Sequence, residues 1–409
     1  MHAEQGILLD ISRLIARLDG LPLTGIDRVE REWLLHLQDQ PHLLLCRAFG
    51  AQLLLPPEAG AAILRWIDGA QGDLPAPGFL ARLRGRTSVK DRALSALRGM
   101  ALASERGTTR RLGRMAKTRL GGGAVYLNLG HANWRREVFN GLADLQRVVL
   151  IHDMIPLDHP EYTRAGQDVK FRDRFMIAAQ GADLILTISQ ASAERIALWR
   201  KRLVVHRSAP IVVTPIGTRL AAPDARDLPA SLDLSRPFFI CLGTIEPRKN
   251  HALLLDAWAR MAADHPDQPL PQLFIIGRRG WENHETFARL DRLPAGGPIV
   301  ELNGLDDGAV AALMMRCHGL LMPSLAEGFG MPLAEAALRG IPVLATPLPS
   351  SKELLGDWAR YLESDRPQLW ADEIFAISAK PLQRVPALSV PDWPMHFRSV
   401  TGALPHLSE

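Results

Sequence analysis

One segment near the C-terminal third of the chain restricts its possible folds more than any other. Gly319–Ser324 is short and apolar and predicts a buried strand, while Leu333–Arg339 predicts a helix that ends at Gly340. Between them, Gly328 and Gly330 permit a tight turn and a close approach of the backbone to a ligand. A strand, a glycine loop and a helix in this order predict one unit of a parallel α/β sheet, with a seat for a diphosphate at the helix N-terminus.

Two carboxylates flank this predicted diphosphate seat. Glu327 lies in the loop, Glu335 is predicted in the first turn of the helix, and Pro332 suits the first helical position because its missing N–H is not needed there. The helix amides and dipole attract an anion, and the two acids can accept hydrogen bonds from sugar hydroxyls. Glu335 could merely complement the helix dipole and Glu327 could be an exposed loop acid, but the whole combination favours a binding site.

This segment, Glu327-Gly-Phe-Gly-Met-Pro-Leu-Ala-Glu335, resembles the E-x7-E motif (EGFGxPxxE) of family 4 retaining glycosyltransferases. The resemblance implies the GT-B fold and the transfer of a sugar from a nucleotide-sugar, with retention at the anomeric carbon. It implies that Glu327 holds hydroxyls of the donor sugar and that Glu335 holds the ribose. It also implies donor contacts from the residues between them, namely Gly328, Phe329, Gly330, Met331, Pro332 and Leu333.

A second segment, about eighty residues earlier, carries two adjacent cations. Pro237–Gly243 predicts a buried strand, and Thr244-Ile-Glu-Pro-Arg-Lys-Asn250 follows it. Arg248 offers a guanidinium fork and Lys249 a point charge to a diphosphate. The segment resembles the phosphate-binding loop of the same family, which implies that these cations stabilise the leaving diphosphate. The donor contacts implied here are Gly243, Thr244, Arg248 and Lys249.

The resemblance also locates the nucleobase of the donor. In the family it lies beside a loop that corresponds here to Asn303, Gly304 and Leu305. The chain has no Asp-x-Asp triplet, so we predict no metal at the diphosphate, and no cofactor besides the nucleotide-sugar substrate. The Glu-Pro-Arg-Lys-Asn loop favours GDP-mannose as that substrate, with a UDP-sugar as the alternative.

The first half of the chain predicts another sheet with functional residues at its edge. A strand at Gly6–Ile11 is followed by Gly25, which resembles the loop that faces the donor phosphates in the family, although Thr24 replaces the first of its two usual glycines. Polar residues follow two further predicted strands, where ligands bind in parallel sheets. His152 resembles the family histidine near the reacting sugar, which implies a catalytic contact, although a lone histidine is more often structural. We predict that the residues binding the acceptor are His131 and Asp153.

Composition adds one local feature to an ordinary globular chain. The 409 residues suffice for two domains, and the three scattered cysteines predict neither a zinc site nor a disulfide framework. Residues 82–119 hold twelve Lys or Arg against Asp91 and Glu105, a local charge of 12 − 2 = +10 in a chain of net charge +4. These cations are interleaved with apolar residues, which predicts either a solvated basic face or contact with an anionic membrane surface. Because no aromatic stacking platform accompanies them, nucleic acid is not predicted as a partner.

We therefore predict a GT-B fold, with two Rossmann-like α/β domains facing a central cleft. The predicted bounds are 1–232 for an acceptor-binding domain, 233–388 for a nucleotide-sugar-binding domain, and 389–409 for a helix that crosses back to the first domain. The predicted activity is metal-independent transfer of a sugar to a glycan or lipid-linked acceptor in bacterial surface polysaccharide synthesis. Lacking a signal peptide or a membrane span, the chain is predicted to be cytoplasmic, with peripheral attachment to the inner face of the cell membrane as the alternative. The alternatives are an epimerase or phosphorylase of the same fold, or a catalytically silent scaffold.

Overall fold

The structure is a computed structural model that describes residues 6–19, 23–76, 85, 87–207, 209–230 and 232–404. Within these residues the chain forms two α/β domains, each built around one sheet that is wholly or mainly parallel. The predicted pair of domains is confirmed. In the described part of the chain, no helix has the length and apolar character needed to cross a membrane.

The first domain contains a sheet whose parallel strands are extended at one edge by two antiparallel strands. Its strands are β1 Ile7–Asp10, β2 His42–Ala48, β3 Ala51–Leu55, β4 Ala103–Glu105, β5 Val125–Asn128, β6 Gln146–Ile151, β7 Leu184–Thr187 and β8 Ile211–Val213. Their order is β4-β3-β2-β1-β5-β6-β7-β8, and only the β2–β3 and β3–β4 pairs are antiparallel. The sequence did not predict β4, because this three-residue strand lies within a mostly helical segment.

Helices cover both faces of this sheet. They are α1 Gly25–His36, α2 Pro57–Ile67, α3 Val89–Met100, α4 Arg110–Leu120, α5 Arg136–Gly141, α6 Ile155–Asp158, α7 Gln167–Gly181 and α8 Gln190–Arg202. The helix α1 begins at Gly25, and its N-terminus is closed by a capping box in which Thr24 and Asp27 exchange hydrogen bonds. The strands β1, β5 and β6 are almost completely buried between these layers. This burial agrees with their near-continuous apolar sequences.

The second domain has a fully parallel sheet. Its strands are β9 Phe238–Leu242, β10 Gln272–Ile276, β11 Ile299–Leu302, β12 Gly319–Met322, β13 Val343–Ala345 and β14 Arg360–Tyr361, in the order β11-β10-β9-β12-β13-β14. The helices that follow β9 are α9 His251–Asp264, α10 His284–Leu290, α11 Asp307–Met314, α12 Met331–Leu338, α13 Pro349–Leu355, α14 Pro367–Ser378 and α15 Trp393–Ala403. This strand order is that of a Rossmann fold, and it reverses between β9 and β12. In the first sheet the corresponding reversal lies between β1 and β5.

The last helix, α15, crosses back to the first domain as predicted. The Trp33 indole on α1 donates to His396 Nε2 at 3.0 Å, and the Phe397 ring stacks on His36 with centroids 3.7 Å apart. His396 also contacts the carbonyl oxygens that follow β8. The C-terminal end of the described chain therefore ties the second domain to the first.

The basic segment 82–119 is only partly described, since residues 82–84 and 86 lie outside the described residues, as do Phe79 and Leu80. Leu97 on α3 and Leu112 on α4 are fully buried, so the apolar sides of both helices pack into the first domain. The interleaved apolar residues of these two helices therefore belong to the core, which the charge pattern alone could not show. The exposed side of α4 carries Arg110, Arg111, Arg114, Lys117 and Arg119.

Candidate active site

The candidate active site lies where the carboxyl ends of β9 and β12 meet. The loop after β9 holds Arg248 and Lys249, and the loop after β12 holds Glu327. The two loops are joined by a hydrogen bond from the Leu325 amide to the Arg248 carbonyl at 2.7 Å. Both sequence motifs are thus brought together at the reversal of strand order, where open α/β sheets bind ligands.

Glu327 is held between the two cations of the other loop. Its Oε1 accepts from Lys249 Nζ at 2.5 Å, and its Oε2 accepts from Arg248 Nη1 at 3.0 Å. Burial alone would raise the pKa of Glu327, but Lys249 and Arg248 outweigh it and lower the pKa to about 2. With a side chain only 7% exposed, Glu327 is a fixed, ionised acceptor rather than an exposed loop acid.

Glu246 is a second acid of this cluster, and the sequence analysis missed it. Its Oε1 lies 2.6 Å from Arg248 Nε, its side chain is almost fully buried, and burial raises its pKa. The sequence could have indicated Glu246, because this residue lies inside the Thr244–Asn250 segment, two residues before Arg248. With two acids set against two cations, an incoming diphosphate would compete with carboxylates for Arg248 and Lys249.

The glycine loop turns into α12 as predicted, but the helix begins earlier. Gly330 has φ 92° and ψ 58°, a left-handed conformation that glycine adopts without strain, and Met331 is already helical. Pro332 is therefore the second helical residue, and Glu335 lies in the second turn, not the first. No side chain of the described residues caps this N-terminus. Because Pro332 has no N–H and the Leu333 amide donates to the Gly330 carbonyl at 2.9 Å, the amide that the helix start leaves for a ligand is that of Met331.

The same loop touches the first domain at His152 and Asp153. A Cβ on Gly328 would lie 2.9 Å from the His152 carbonyl oxygen and 3.1 Å from Asp153 Cβ, so only glycine fits without displacement. The Ser189 hydroxyl donates to the Gly328 carbonyl at 3.0 Å, and the Ser192 hydroxyl donates to the His152 carbonyl at 3.0 Å. Ser189, the N-cap residue of α8, therefore joins the two domains, while Ser192 fixes the His152 backbone within the first domain.

His131, His152 and Asp153, predicted at the ends of β5 and β6, do lie together in the cleft. His152 bonds through Nε2 to the Leu129 carbonyl at 2.7 Å, and its amide donates to His131 Nε2 at 3.0 Å. Burial lowers the pKa of His152 to about 4 and also lowers that of His131, so both rings are neutral near neutral pH. Burial raises the pKa of Asp153, although Arg248 opposes this effect.

Gly25 and Glu335 lie where α1 of the first domain approaches α12 of the second. A Cβ on Gly25 would lie 3.2 Å from the sulfur of Met331, across the domain boundary. Arg28, one turn further along α1, lies 3.8 Å from Glu335 Oε1 and donates to Asp307 at 2.5 Å. Burial raises the pKa of Glu335, and Arg28 opposes it most. The sequence analysis missed Arg28, since nothing local in α1 marks a contact with the second domain.

The other predicted donor residues differ in what they can offer to a ligand. Phe329 and Leu333 have buried side chains, with Phe329 packed in an apolar cluster that is mainly formed by the first domain, so only their backbones can face a donor. Leu305 packs partly against the second core. Residues at the strand ends that remain at least partly accessible are Gly243, Thr244, Asn303 and Gly304.

Comparison with known proteins agrees with this architecture. Residues 228–384, which span most of the second domain, match the family model of glycosyl transferases group 1. HepE of Anabaena, solved in complex with UDP, is 17% identical with a TM-score of 0.60 over 98% of this chain and 99% of that chain. Sucrose-phosphate synthase of Thermosynechococcus elongatus is 14% identical with a TM-score of 0.59, over 98% of this chain and 95% of the other. The fold is GT-B.

Two mannosyltransferases of Escherichia coli are similar to part of this GT-B chain. Serotype-specific mannosyltransferase WbdA is 29% identical over 230 residues, which cover 53% of this chain and 28% of WbdA. O-antigen chain mannosyltransferase B is 28% identical over 217 residues, 51% of this chain and 55% of that protein. The chain thus spans less than two thirds of either relative.

In a GT-B protein the cleft between the domains is the natural place for two substrates to meet. Here the cleft presents an ionised carboxylate between two cations, an uncapped helix N-terminus, and two neutral histidines on the opposite wall. Such fixed groups can bind an anion and stabilise charge that develops on it, because they need little rearrangement during the reaction.

Proposed function

We propose that this protein is a family 4 retaining hexosyltransferase. It transfers mannose from a nucleotide-sugar to a hydroxyl of a glycan or lipid-linked acceptor in bacterial surface polysaccharide synthesis. The GT-B fold and the group 1 family match support sugar transfer. The two mannosyltransferase relatives, one of them named for the O-antigen chain, support mannose and a surface polysaccharide.

The placement of Glu327 between Arg248 and Lys249, beside the N-terminus of α12, carries this proposal. As the bond between sugar and diphosphate breaks, negative charge grows on the leaving phosphate oxygens. Arg248, Lys249 and the positive N-terminal end of α12 would stabilise that charge, while Glu327 would accept hydrogen bonds from sugar hydroxyls. Glu335 would hold the ribose, and the Asn303–Leu305 loop the nucleobase.

His152 and its neighbours would serve the reacting sugar and the acceptor. Because the His152 ring is neutral and its Nε2 bonds to the Leu129 carbonyl, the histidine is suited to a hydrogen bond rather than a charge interaction. Contact of His152 with the donor sugar or the acceptor, and of His131 and Asp153 with the acceptor, remains part of the proposal. The two cations also let the reaction proceed without a bound metal or other cofactor.

A panel of donors tests the proposed activity directly. GDP-mannose, UDP-glucose, UDP-galactose and ADP-glucose are each incubated with the protein and a mannoside acceptor, with and without EDTA. We expect transfer from GDP-mannose that survives EDTA, with an α-linkage in the product that matches the α-configuration of the donor, as measured by proton NMR. Transfer from a UDP-sugar would change the proposed sugar, inversion would refute the retaining mechanism, and restoration by magnesium after EDTA would refute metal independence.

The same panel separates the rival functions. An epimerase would convert a nucleotide-sugar without any acceptor, and a phosphorylase would need inorganic phosphate in place of the nucleotide. A silent scaffold would bind or turn over none of the donors. The ion-paired Arg248, Lys249 and Glu327 favour an active donor site, since a scaffold has no use for a buried set of charges that is costly to desolvate.

We further propose that the basic side of α4 contacts an anionic membrane surface at the inner face of the cell membrane. Arg110, Arg111 and Arg114 line a surface groove of about 430 Å³ together with Glu105 and Glu137. Since the apolar side of α4 is buried, this contact would be electrostatic and would not insert the helix into lipid. Such a contact would bring a lipid-linked acceptor to the cleft.

A further inference from the structure

The first sheet has its own reversal of strand order, between β1 and β5, and positive charge collects there. Arg13 follows β1 and packs against Gly130, which follows β5, with its Nη1 donating to the Gly130 carbonyl at 3.5 Å. The next residue, His131, has its ring 5.8 Å from that of Phe171 on α7. Arg174 lies one helical turn after Phe171. Burial and the neighbouring His152 lower the pKa of His131 most, and the nearby charges of Arg13 and Arg174 lower it further.

The charges of these two arginines are incompletely balanced. Arg13 shares a single carboxylate, that of Asp27, with Arg17, both at 2.7 Å. Half-buried Arg174 makes no ion pair with any described residue, and its Nε donates only to the Lys170 carbonyl at 3.2 Å. Burial and the neighbouring Arg13 lower the pKa of Arg174, because both disfavour its charged form.

Two deeper carboxyls, those of Asp10 and Glu30, form no ion pair with either arginine in the described part of the chain, because other donors occupy them. Asp10 accepts from Tyr126 at 2.8 Å and Asn133 at 2.7 Å, and Glu30 accepts from the Leu14 amide at 2.7 Å. Burial raises the pKa of both acids, and it raises that of Glu30 well above its ordinary value. An anion from solution would therefore be favoured beside Arg13 and Arg174.

We propose that Arg13 and Arg174 form a phosphate-binding subsite for the acceptor, separate from the donor diphosphate seat at Arg248 and Lys249. Two guanidinium groups suit a phosphate because each can donate to two of its oxygens. The subsite adjoins His131, whose Nε2 accepts from the His152 amide, so a phosphate here lies near the candidate reaction centre. The part of this inference that concerns the acceptor rests on the proposed glycosyl transfer, whereas the anion site does not.

Calorimetric titration with inorganic phosphate tests the anion site without any glycosyl transfer. We expect Arg174→Gln to weaken one phosphate-binding event about tenfold, as expected for the loss of one charge-assisted hydrogen bond. Arg172→Gln is the matched control, because Arg172 is an exposed arginine of the same helix that pairs with Asp173, and it should bind phosphate like the wild type. The Arg174-dependent event should persist in Arg248→Gln.

Two outcomes of this titration would overturn the subsite. One is equal phosphate binding by the wild type, Arg174→Gln and Arg172→Gln. The other is loss of all phosphate binding in Arg248→Gln alone, which would leave the donor seat as the site that the titration detects. If the subsite is found but no donor is turned over by any protein, the proposed function fails and the anion site stands.

Three acceptors then identify the source of the phosphate. They share one saccharide, as an uncharged methyl glycoside, as its phosphate monoester, and as a diphosphate linked to a short alkyl chain. We expect Arg174→Gln to raise KM about tenfold for a phosphate-bearing acceptor, to change kcat little, and to leave KM for the methyl glycoside unchanged. An effect on the monoester alone identifies a sugar phosphate, and an effect on the alkyl diphosphate alone identifies a lipid-linked saccharide. Equal effects on all three acceptors would contradict the subsite.

Discussion

At the scale of single residues, Glu327 has both a structural and a proposed catalytic task. Glu327→Gln keeps the side-chain shape and removes the charge, so hydrogen bonds to donor hydroxyls weaken. We expect turnover to fall roughly ten- to hundredfold, because a hydrogen bond to a charged group contributes about 1.5–3 kcal/mol. Steady-state kinetics with the active donor measures this loss.

The matched control for this substitution is Glu373→Gln. Glu373 lies on α14 and pairs with the exposed Arg360 at 3.4 Å, in a contact of little energetic weight. The Glu373→Gln variant should turn over the donor as fast as the wild type. Near-wild-type turnover in Glu327→Gln, or an equal loss in the control, would contradict the assignment of Glu327 to the donor site.

The pKa of Glu327 also predicts how its contribution to stability varies with pH. The folded-state pKa is about 2, below the ordinary 4.5, so the ionised carboxylate stabilises the fold. The difference in unfolding free energy between wild type and Glu327→Gln should be fully present above about pH 4.5 and should be lost as the pH falls toward 2. Denaturant titrations at a series of pH values measure this difference. A decline between about pH 7 and pH 5 would contradict the shifted pKa.

At the scale of secondary-structure elements, the turn between β12 and α12 determines where the loop that holds Glu327 lies. Gly328→Ala would place a Cβ 2.9 Å from the His152 carbonyl and push the loop away from the first domain. We expect kcat/KM to fall about a hundredfold, a typical cost of moving reacting groups by about 1 Å. Kinetics and circular dichroism together show whether activity is lost while the fold is kept.

Gly99→Ala provides the control for adding a methyl group to a glycine. Gly99 lies in α3, and no heavy atom would lie within 4 Å of its new Cβ. This variant should keep full activity and gain about 0.5–1 kcal/mol of stability, since alanine favours a helix over glycine. Equal activity of Gly328→Ala and Gly99→Ala would show that the close contact with His152 is not needed.

The helix α4 gives a second prediction at this scale. Reversing the charge of Arg110, Arg111 and Arg114 should release the protein from anionic vesicles at low salt, because each cation near such a surface contributes about 1 kcal/mol. Vesicle sedimentation measures the bound fraction, and donor affinity should not change. The control reverses three exposed arginines that lie elsewhere, Arg260, Arg316 and Arg398. Equal sedimentation with neutral and anionic vesicles would leave α4 as a solvated face.

At the scale of the whole molecule, the sequence predicted each domain better than the contacts between them. The buried strands β5 and β12 were found because parallel strands read as continuous apolar runs, and the motifs after β9 and β12 were found because each lies within one local segment. Arg28, Glu246 and the domain-joining role of Ser189 were missed. Their partners are set by how the chain folds in space, which local residue patterns do not encode.

Besides the Ser189–Gly328 hydrogen bond, the contacts between the domains include two further groups. The Trp281 indole donates to the Tyr162 carbonyl at 3.0 Å, and the Ala165 amide donates to Glu282 at 2.9 Å. In the other group, Arg28 reaches Asp307 and lies near Glu335. The Arg28 and Asp307 side chains are 33% and 64% exposed, so this ion pair contributes little energy and can open to admit a donor.

Arg28 should therefore matter more for the state of Glu335 than for holding the domains together. Asp307→Asn removes only the exposed ion pair and should change the donor KM less than about fivefold, the equivalent of at most about 1 kcal/mol. Arg28→Gln also removes the main cation that opposes the raised pKa of Glu335, so this pKa should rise further and weaken the proposed hydrogen bonds of Glu335 to the ribose. We expect the Arg28→Gln variant to raise the donor KM more than Asp307→Asn does, most strongly at acidic pH.

The control for Arg28→Gln is Arg31→Gln. Arg31 lies on the same helix but pairs with Asp68, so this variant should have the donor KM of the wild type. Equal KM values for Arg28→Gln and Asp307→Asn across the pH range would show that Arg28 acts only as a contact between the domains.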